Sequence, residues 1–261
     1  MHTEEIRTSV SQICGRSPIL RRGLFHIMDW LTVKSWHVRR ELRKWMRNAP
    51  DKAHILDAGT GFGHNAYWLS CQRDKYSVLA IDQKQSHVCS GNAFVRDTKR
   101  KNLLFRTMSI EELEADEAFD LILCTETLEK VENDESAVEH MHGALKDGGL
   151  MITTVNRKFK AKCEKGDDFS RPGYQIEEIK KMLKESGFHH VKAHFTGGKA
   201  GQWAQRLGVT LPLRLLRMSR LFLLILPFYF ILAIPTAVIL NWLDSHTAHL
   251  SGEGIILLAR K

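Results

Sequence analysis

The sequence predicts an α/β fold: a doubly wound, mostly parallel seven-stranded sheet, with N-terminal helices and an apolar helical insert before the last strand. Three observations predict it. From residue 51 onward, short apolar runs alternate with longer segments of helical period. The first run ends at Asp57 and passes into glycines at alternate positions, Gly59, Gly61 and Gly63. Residues 221–243 then carry no charge in 23 positions, just ahead of a final apolar run. These divide the chain into N-terminal helices (1–50), a ligand-binding domain (51–196 with 252–261) and an apolar insert (197–251).

Residues 17–48 read as one or two basic amphipathic helices. Leu24, Phe25, Met28 and Leu31 recur at helical spacing, and Arg39, Arg40, Arg43, Lys44 and Arg47 form a charged face. Pro50-Asp51 ends the segment. The helices can pack on the sheet and close a pocket. They can also meet lipid through Trp30, Trp36 and Trp45, whose side chains suit an interface. The two readings are compatible.

The run Ile55-Leu56-Asp57 predicts a buried strand that turns into a helix. Glycine has no Cβ, so a ligand can approach this turn closely, and the helix behind it offers free N–H groups. The spacing departs from the dinucleotide fingerprint G-x-G-x-x-G: His64 stands where its third glycine belongs, and the glycine falls one residue early. Residues 77–82 predict a second strand ending in Asp82, 25 residues after Asp57. That is the distance of one strand–helix–strand unit, and a carboxylate there can accept two ribose hydroxyls. Further strands are predicted at 103–108, 119–124, 150–155, 189–195 and 254–260. A polar loop spans 156–173, followed by Tyr174 and a helix over 175–186 closed by Gly187.

The pattern Asp57-x-Gly-x-Gly-x-Gly, the acid Asp82, the stretch 125–131 after strand four and the Asp147-Gly148-Gly149-Leu150 turn together resemble class I S-adenosylmethionine (SAM) methyltransferases. The resemblance covers residues 53 to about 196 and returns at 254–260. It implies SAM as cofactor, with the methionine part at Asp57, Gly59, Thr60, Gly61 and Gly63. It places the ribose at Asp82 and Gln83, the adenine at Ser109 and Ile110, and a further contact at Cys124. It also places strand seven between strands five and six. Two positions depart from the family. Lys130 stands where histidine is common, and Ser109 stands where many members carry an acid. A hydroxyl or phenol acceptor needs a proton acceptor, for which Glu126, His64 and Tyr174 are candidates. Glu126 can equally hold the methionine amino group.

The composition, 43% hydrophobic and 26% charged, is that of a globular chain. Five cysteines without a C-x-x-C pair argue against a disulfide framework or zinc site and for a reducing compartment. The first residues lack the pattern of a signal peptide. The net charge of +8 is concentrated: residues 1–50 hold ten Lys/Arg against four Asp/Glu, and 186–243 hold six with no acid. Such blocks suit an anionic partner.

The adjoining 23 uncharged residues favour an anionic membrane surface over nucleic acid, which is not expected as a partner. As one helix the run would be about 34 Å long. Only ten residues, 244–253, precede the last strand, too few to recross the bilayer. The insert is therefore expected to be one-sided, a re-entrant or in-plane hairpin bent at Pro227 and Pro235. Arg214, Arg217 and Arg220 lie before it and Trp242 near its end. Asp244, His246 and His249 fall within six positions, but methyl transfer needs no metal and no remote fourth ligand is evident, so no metal is expected.

The expected function is methyl transfer to a lipid-soluble small molecule, a quinone, phenol, polyketide lipid or acyl chain, at the cytoplasmic side of a membrane. The alternatives are a membrane-bound scaffold without turnover and an RNA methyltransferase.

Overall fold

The computed structural model describes residues 17–158, 171–218 and 224–261. Most of the 156–173 loop, with Lys160, Lys162, Asp167 and Asp168, lies outside the described residues, as does Arg220. Two helices open the described chain, α1 (Pro18–Leu31) and α2 (Val33–Met46), parted at Thr32. The alternating core follows: β1 (His54–Ala58), α3 (His64–Ser70), β2 (Ser77–Asp82), α4 (Gln85–Thr98), β3 (Leu103–Thr107) and β4 (Phe119–Thr125). Then come α5 (Asp134–Ala144), β5 (Leu145–Asn156), α6 (Ile176–Glu185) and β6 (His190–Thr196). The insert comprises α7 (Lys199–Gln205), a π-helical turn (Arg206–Thr210), α8 (Leu211–Met218) and α9 (Leu226–His246), before β7 (Gly254–Arg260).

The seven strands form one sheet in the order β3-β2-β1-β4-β5-β7-β6. Only β7 is antiparallel, to β5 and β6. Strands buried on both faces read as continuous apolar runs, and Ile55, Leu56, Leu121, Ile122 and Leu123 are all fully buried. Alternate residues feed opposite faces. Leu56, Ile122 and Met151 pack with α5 and α6. Ile55, Leu121 and Ile152 pack with Val38 and Leu42 of α2 and with α3 and α4. The strand order reverses between β1 and β4, the topological switch point where such sheets bind ligands at their carboxyl ends.

The insert departs from the expected hairpin. From Leu226 the apolar run forms one helix that continues through Pro235. Pro227 falls in its first turn, where the missing N–H costs no helical bond. Pro235 is exposed, so the carbonyl it leaves without a helical partner is not sealed in the core.

The polarity of α9 is reversed. Its protein-facing side carries small or polar residues: Ala233, Ala237, Asn241, Asp244 and Ser245 are buried. Its outer side carries Phe228, Ile231, Leu232, Ile239 and Trp242, all exposed. The inner side is fastened by polar bonds: Asn241 Nδ2 donates to the Trp30 carbonyl at 2.9 Å, and Arg40 donates to the Ser245 carbonyl. Tyr229 adds a bond to the Leu207 carbonyl at 2.7 Å. Helix α1 is mixed: Arg21, Phe25 and Leu31 are buried, while Ile19, Leu20, Ile27 and Trp30 are exposed.

Candidate functional site

The site forms where β1, β2 and β4 end. Asp57, the penultimate residue of β1, is fully enclosed. Its Oδ2 accepts from Thr60 Oγ1 at 2.6 Å and from the Ala66 N–H at 3.1 Å, which pins the turn to α3. Its Oδ1 is buried without a partner. Burial pushes the carboxyl up to about 6, against the pull of the Thr60 and Ala66 bonds. The N–H groups of Gly59 and Thr60 both reach the Ile81 carbonyl at 2.9 Å, locking the turn to β2.

Asp82 ends β2 beside this turn. Its Oδ2 accepts the Gly61 N–H at 2.8 Å and its Oδ1 the Lys84 N–H at 2.8 Å. Burial works against its charge, but His87 and these amides outweigh it and hold the carboxyl below its ordinary value. An ionised acceptor at the end of β2 suits ribose hydroxyls. Gln83 follows it, exposed. The Asp82 carbonyl accepts the Met108 N–H at 3.2 Å, which brings the next turn alongside. There Ser109 Oγ accepts the Glu111 N–H at 3.3 Å, and Ile110 is buried.

Two glycines of the turn differ in what they make room for. Gly63 has φ +78°, and a Cβ there would lie 2.4 Å from Phe105 Cζ. Gly61 has φ +56°, and a Cβ there would meet nothing within 4 Å. Its missing side chain therefore leaves open space beside the turn. That space, with the unpartnered Asp57 oxygen and the ionised Asp82, fits a cofactor carrying a cationic amino group and a ribose.

The candidate proton acceptors separate sharply. Glu126, just past β4, is 43% exposed and holds φ +53°, a left-handed conformation unusual for a non-glycine residue. Lys34 of α2 pairs with it and reaches Asn156 Oδ1 at 2.6 Å. Tyr174 is placed otherwise. It is buried, its hydroxyl donates to Asp134 Oδ2 at 2.7 Å, and burial with Asp134 pushes the phenol far up. This is a packing position, not one facing an acceptor.

His64 is likewise enclosed. Its Nε2 meets Asp29 Oδ1 at 2.9 Å, its ring packs on Phe25, and burial lowers its imidazole despite Asp29. Cys124 is a core residue whose thiol burial pushes up to about 12, so its side chain offers a ligand nothing. Asp244, His246 and His249 do not form one group: His246 is exposed and bonds back to the Trp242 carbonyl at 2.8 Å.

Sequence reasoning missed the layer behind the turn. Arg39 is buried, donates to Asp29 Oδ1 at 3.1 Å and Asn65 Oδ1 at 3.0 Å, and stacks over Trp68. Asn65 Nδ2 continues to Thr125 Oγ1 at 3.1 Å, joining α3 to the end of β4. Glu129 is also buried: one oxygen accepts the Asn156 N–H and the other has no partner. The available signal was Asp29, a lone acid between basic segments.

Comparisons with known proteins agree with this architecture. Ubiquinone biosynthesis O-methyltransferases are similar to the chain: that of Rickettsia felis is 34% identical over 115 residues, covering 44% of this chain and 46% of the relative. That of Rickettsia conorii is 34% identical over 117 residues, covering 44% and 39%. The match thus spans less than half the length of these relatives. Phosphoethanolamine N-methyltransferase 2 of Haemonchus contortus, solved with SAM, has a TM-score of 0.60 at 15% identity, covering 91% of this chain and 56% of that one. The cyclase SpnF has a TM-score of 0.55 at 19% identity, covering 80% and 74%. These structural likenesses speak to the fold. The methyltransferase-domain family matches residues 50–205, more than half of the chain. The chain belongs to that methyltransferase-domain family.

Proposed function

We propose that the enzyme methylates a quinone- or phenol-type acceptor with an apolar tail, reached from one side of a membrane. The observation that carries this reading is the reversed polarity of α9. A water-facing helix hides its large apolar residues, whereas α9 turns Phe228, Ile231 and Leu232 outward; α1, which buries Phe25 and Leu31, still leaves Ile27 and Trp30 exposed. An exposed apolar patch of this kind marks an interaction surface. Phe228–His246 is long and apolar enough to cross a bilayer. Its buried Asn241, Asp244 and Ser245 face protein along its last turns, which favours a helix lying on the membrane. The chemical class of acceptor is supported by the relatives, which are named for ubiquinone biosynthesis.

SAM supplies a methyl group already activated on a sulfonium. Asp57, Gly59, Thr60, Gly61 and Gly63 would hold its methionine part, Asp82 and Gln83 its ribose, and Ser109 and Ile110 its adenine. The protein's remaining work is to align the acceptor oxygen with the C–S bond, exclude water and take a proton. Glu126 suits the proton transfer, because it stands accessible at the end of β4, in a strained conformation of the kind found at functional sites. It would accept the hydroxyl proton as the oxygen bonds to the methyl carbon and S-adenosylhomocysteine departs. Lys34 would position its carboxylate. Gly61 and its neighbours lie at the switch point, so the acceptor would come from the β4–β5 side.

The test is turnover in vesicles of phosphatidylcholine with phosphatidylglycerol. Mass spectrometry should find one added methylene on a prenylated catechol, and the protein should float with the vesicles. Equal turnover of a tail-less catechol without vesicles, and no flotation, would overturn the membrane reading.

A further inference from the structure

The structure brings together three side chains that methyl transfer does not use: His37 of α2, Asp244 of α9 and His249 of the segment before β7. We propose that they bind one zinc ion, which clasps the insert to the N-terminal helices. This goes beyond the proposed function and stands without it.

Zinc bonds of about 2.0–2.1 Å in a tetrahedron place neighbouring ligand atoms about 3.3–3.4 Å apart. His37 Nε2 lies 3.0 Å from Asp244 Oδ2, and His249 Nε2 lies 3.3 Å from the same oxygen. All three ligand atoms fall within 4.8 Å of one another. Two edges are close to that length, and the third closes when the His249 ring turns away from the Asp244 carbonyl, which its Nε2 meets at 2.8 Å.

Asp244 Oδ2 meets His37 Nε2 and accepts the Gly197 N–H at 3.2 Å, while His249 Nε2, 3.3 Å from the same oxygen, also meets the Asp244 carbonyl at 2.8 Å. A carboxylate oxygen offers about two lone pairs. A cation in place of the imidazole protons would take one of them and leave the other to Gly197, with the His249 ring turned from the carbonyl to the ion. The Gly201 N–H at 2.9 Å from Oδ1 then orients the carboxylate from behind, as supporting hydrogen bonds do at metal sites.

The surroundings are shaped for this arrangement. A Cβ on Gly198 would lie 2.3 Å from His249 Nδ1, and one on Gly201 3.0 Å from Asp244 Oδ1. Asp244 is fully buried and His37 nearly so, while the His249 side chain is 12% exposed. A water reaching the ion from the His249 side would be the fourth ligand. Two imidazoles and one carboxylate with a single open position suit zinc. An octahedral iron(II) site with the same donors would need more open positions than this enclosure allows.

The test uses the untagged full chain, stripped with chelator and titrated with zinc and with cobalt(II). Plasma mass spectrometry should find one zinc per chain, the thermal midpoint should rise with zinc, and cobalt should give visible bands of a tetrahedral site. H37Q and H249Q should each weaken zinc binding by about a hundredfold or more and abolish the midpoint rise. H246Q should leave both unchanged. SAM binding by calorimetry reports folding of each variant independently of any methyl transfer. The proposal is overturned if H249Q keeps the wild-type stoichiometry, if H246Q loses as much as H249Q, if a sulfur charge-transfer band places cobalt on a cysteine, or if no zinc is retained and the three groups are a hydrogen-bonded clasp alone.

Discussion

Replacing Gly61 or Gly63 by alanine should separate cofactor binding from folding. Both residues hold a positive φ, where alanine costs about 1–2 kcal/mol. At Gly63 the added methyl also meets the Phe105 ring at 2.4 and 2.7 Å, well inside contact distance. Forcing that ring aside adds about 1–3 kcal/mol. Gly63→Ala should therefore destabilise the enzyme by about 2–5 kcal/mol in total. At Gly61 no protein atom lies within 4 Å of the new methyl, so only the backbone cost applies to folding. The methyl would instead project into the space assigned to the cofactor. The same overpacking cost then falls on SAM, an affinity loss of roughly 5- to 150-fold. Urea unfolding of the cofactor-free proteins gives the first quantity and calorimetric titration with S-adenosylhomocysteine the second. If Gly61→Ala binds as tightly as the wild type while folded, the open side of the turn does not face the cofactor. If it unfolds as readily as Gly63→Ala, the space is not open.

Other outcomes follow from the same geometry. Asp57 binds a proton more tightly folded than unfolded, its carboxyl rising from 3.8 to about 6. Cofactor-free stability should therefore gain from this group as pH falls from about 7 towards 4, while SAM affinity should drop about tenfold between pH 7.5 and 5; affinity independent of pH would detach Asp57 from the cofactor. Glu126→Gln should lower kcat by about 10²–10⁴-fold with SAM affinity unchanged, and full activity in that variant would remove it as proton acceptor. Tyr174→Phe should cost about 1–3 kcal/mol of stability, through the buried Asp134 bond, with kcat intact; a large fall in kcat at wild-type stability would return Tyr174 to the chemistry. Ile231→Glu with Leu232→Glu should leave unfolding within about 0.5 kcal/mol per site and abolish flotation with anionic vesicles; undiminished flotation would move the membrane contact elsewhere.

The sheet and the glycine turn were legible because they depend on local patterns. Strand ends such as Asp57 and Asp82 are marked by an apolar run meeting an acid, and the glycines sit where the chain must turn tightly. The proton acceptors were not legible in the same way. Tyr174 and Glu126 both follow strands in positions open to either role, and only packing decides that one phenol is sealed against Asp134. Lys34 and Glu126 are 92 residues apart, and His37 and Asp244 are 207 apart, so no local window contains either pair. The bend expected at Pro235 failed for a different reason: propensity weighs the missing bond, whereas the structure leaves the freed carbonyl on an exposed side. The reversed face of α9 was half legible. Its lack of charge was plain, but which side turned inward depended on Asn241, Asp244 and Ser245 finding partners across the fold.

The antiparallel β7 lies between β5 and β6, yet it follows the insert in the chain. On the ribosome, β6 therefore emerges with no neighbour in the sheet and stays an orphan until some sixty further residues are made. The apolar helix is synthesised during that wait. On the membrane reading proposed above, it would be free to settle on a lipid surface before the sheet closes, so the order of synthesis would let the protein finish folding there. A circular permutant that makes β7 before α9 should complete its sheet first, and would show whether arrival at the membrane depends on that delay.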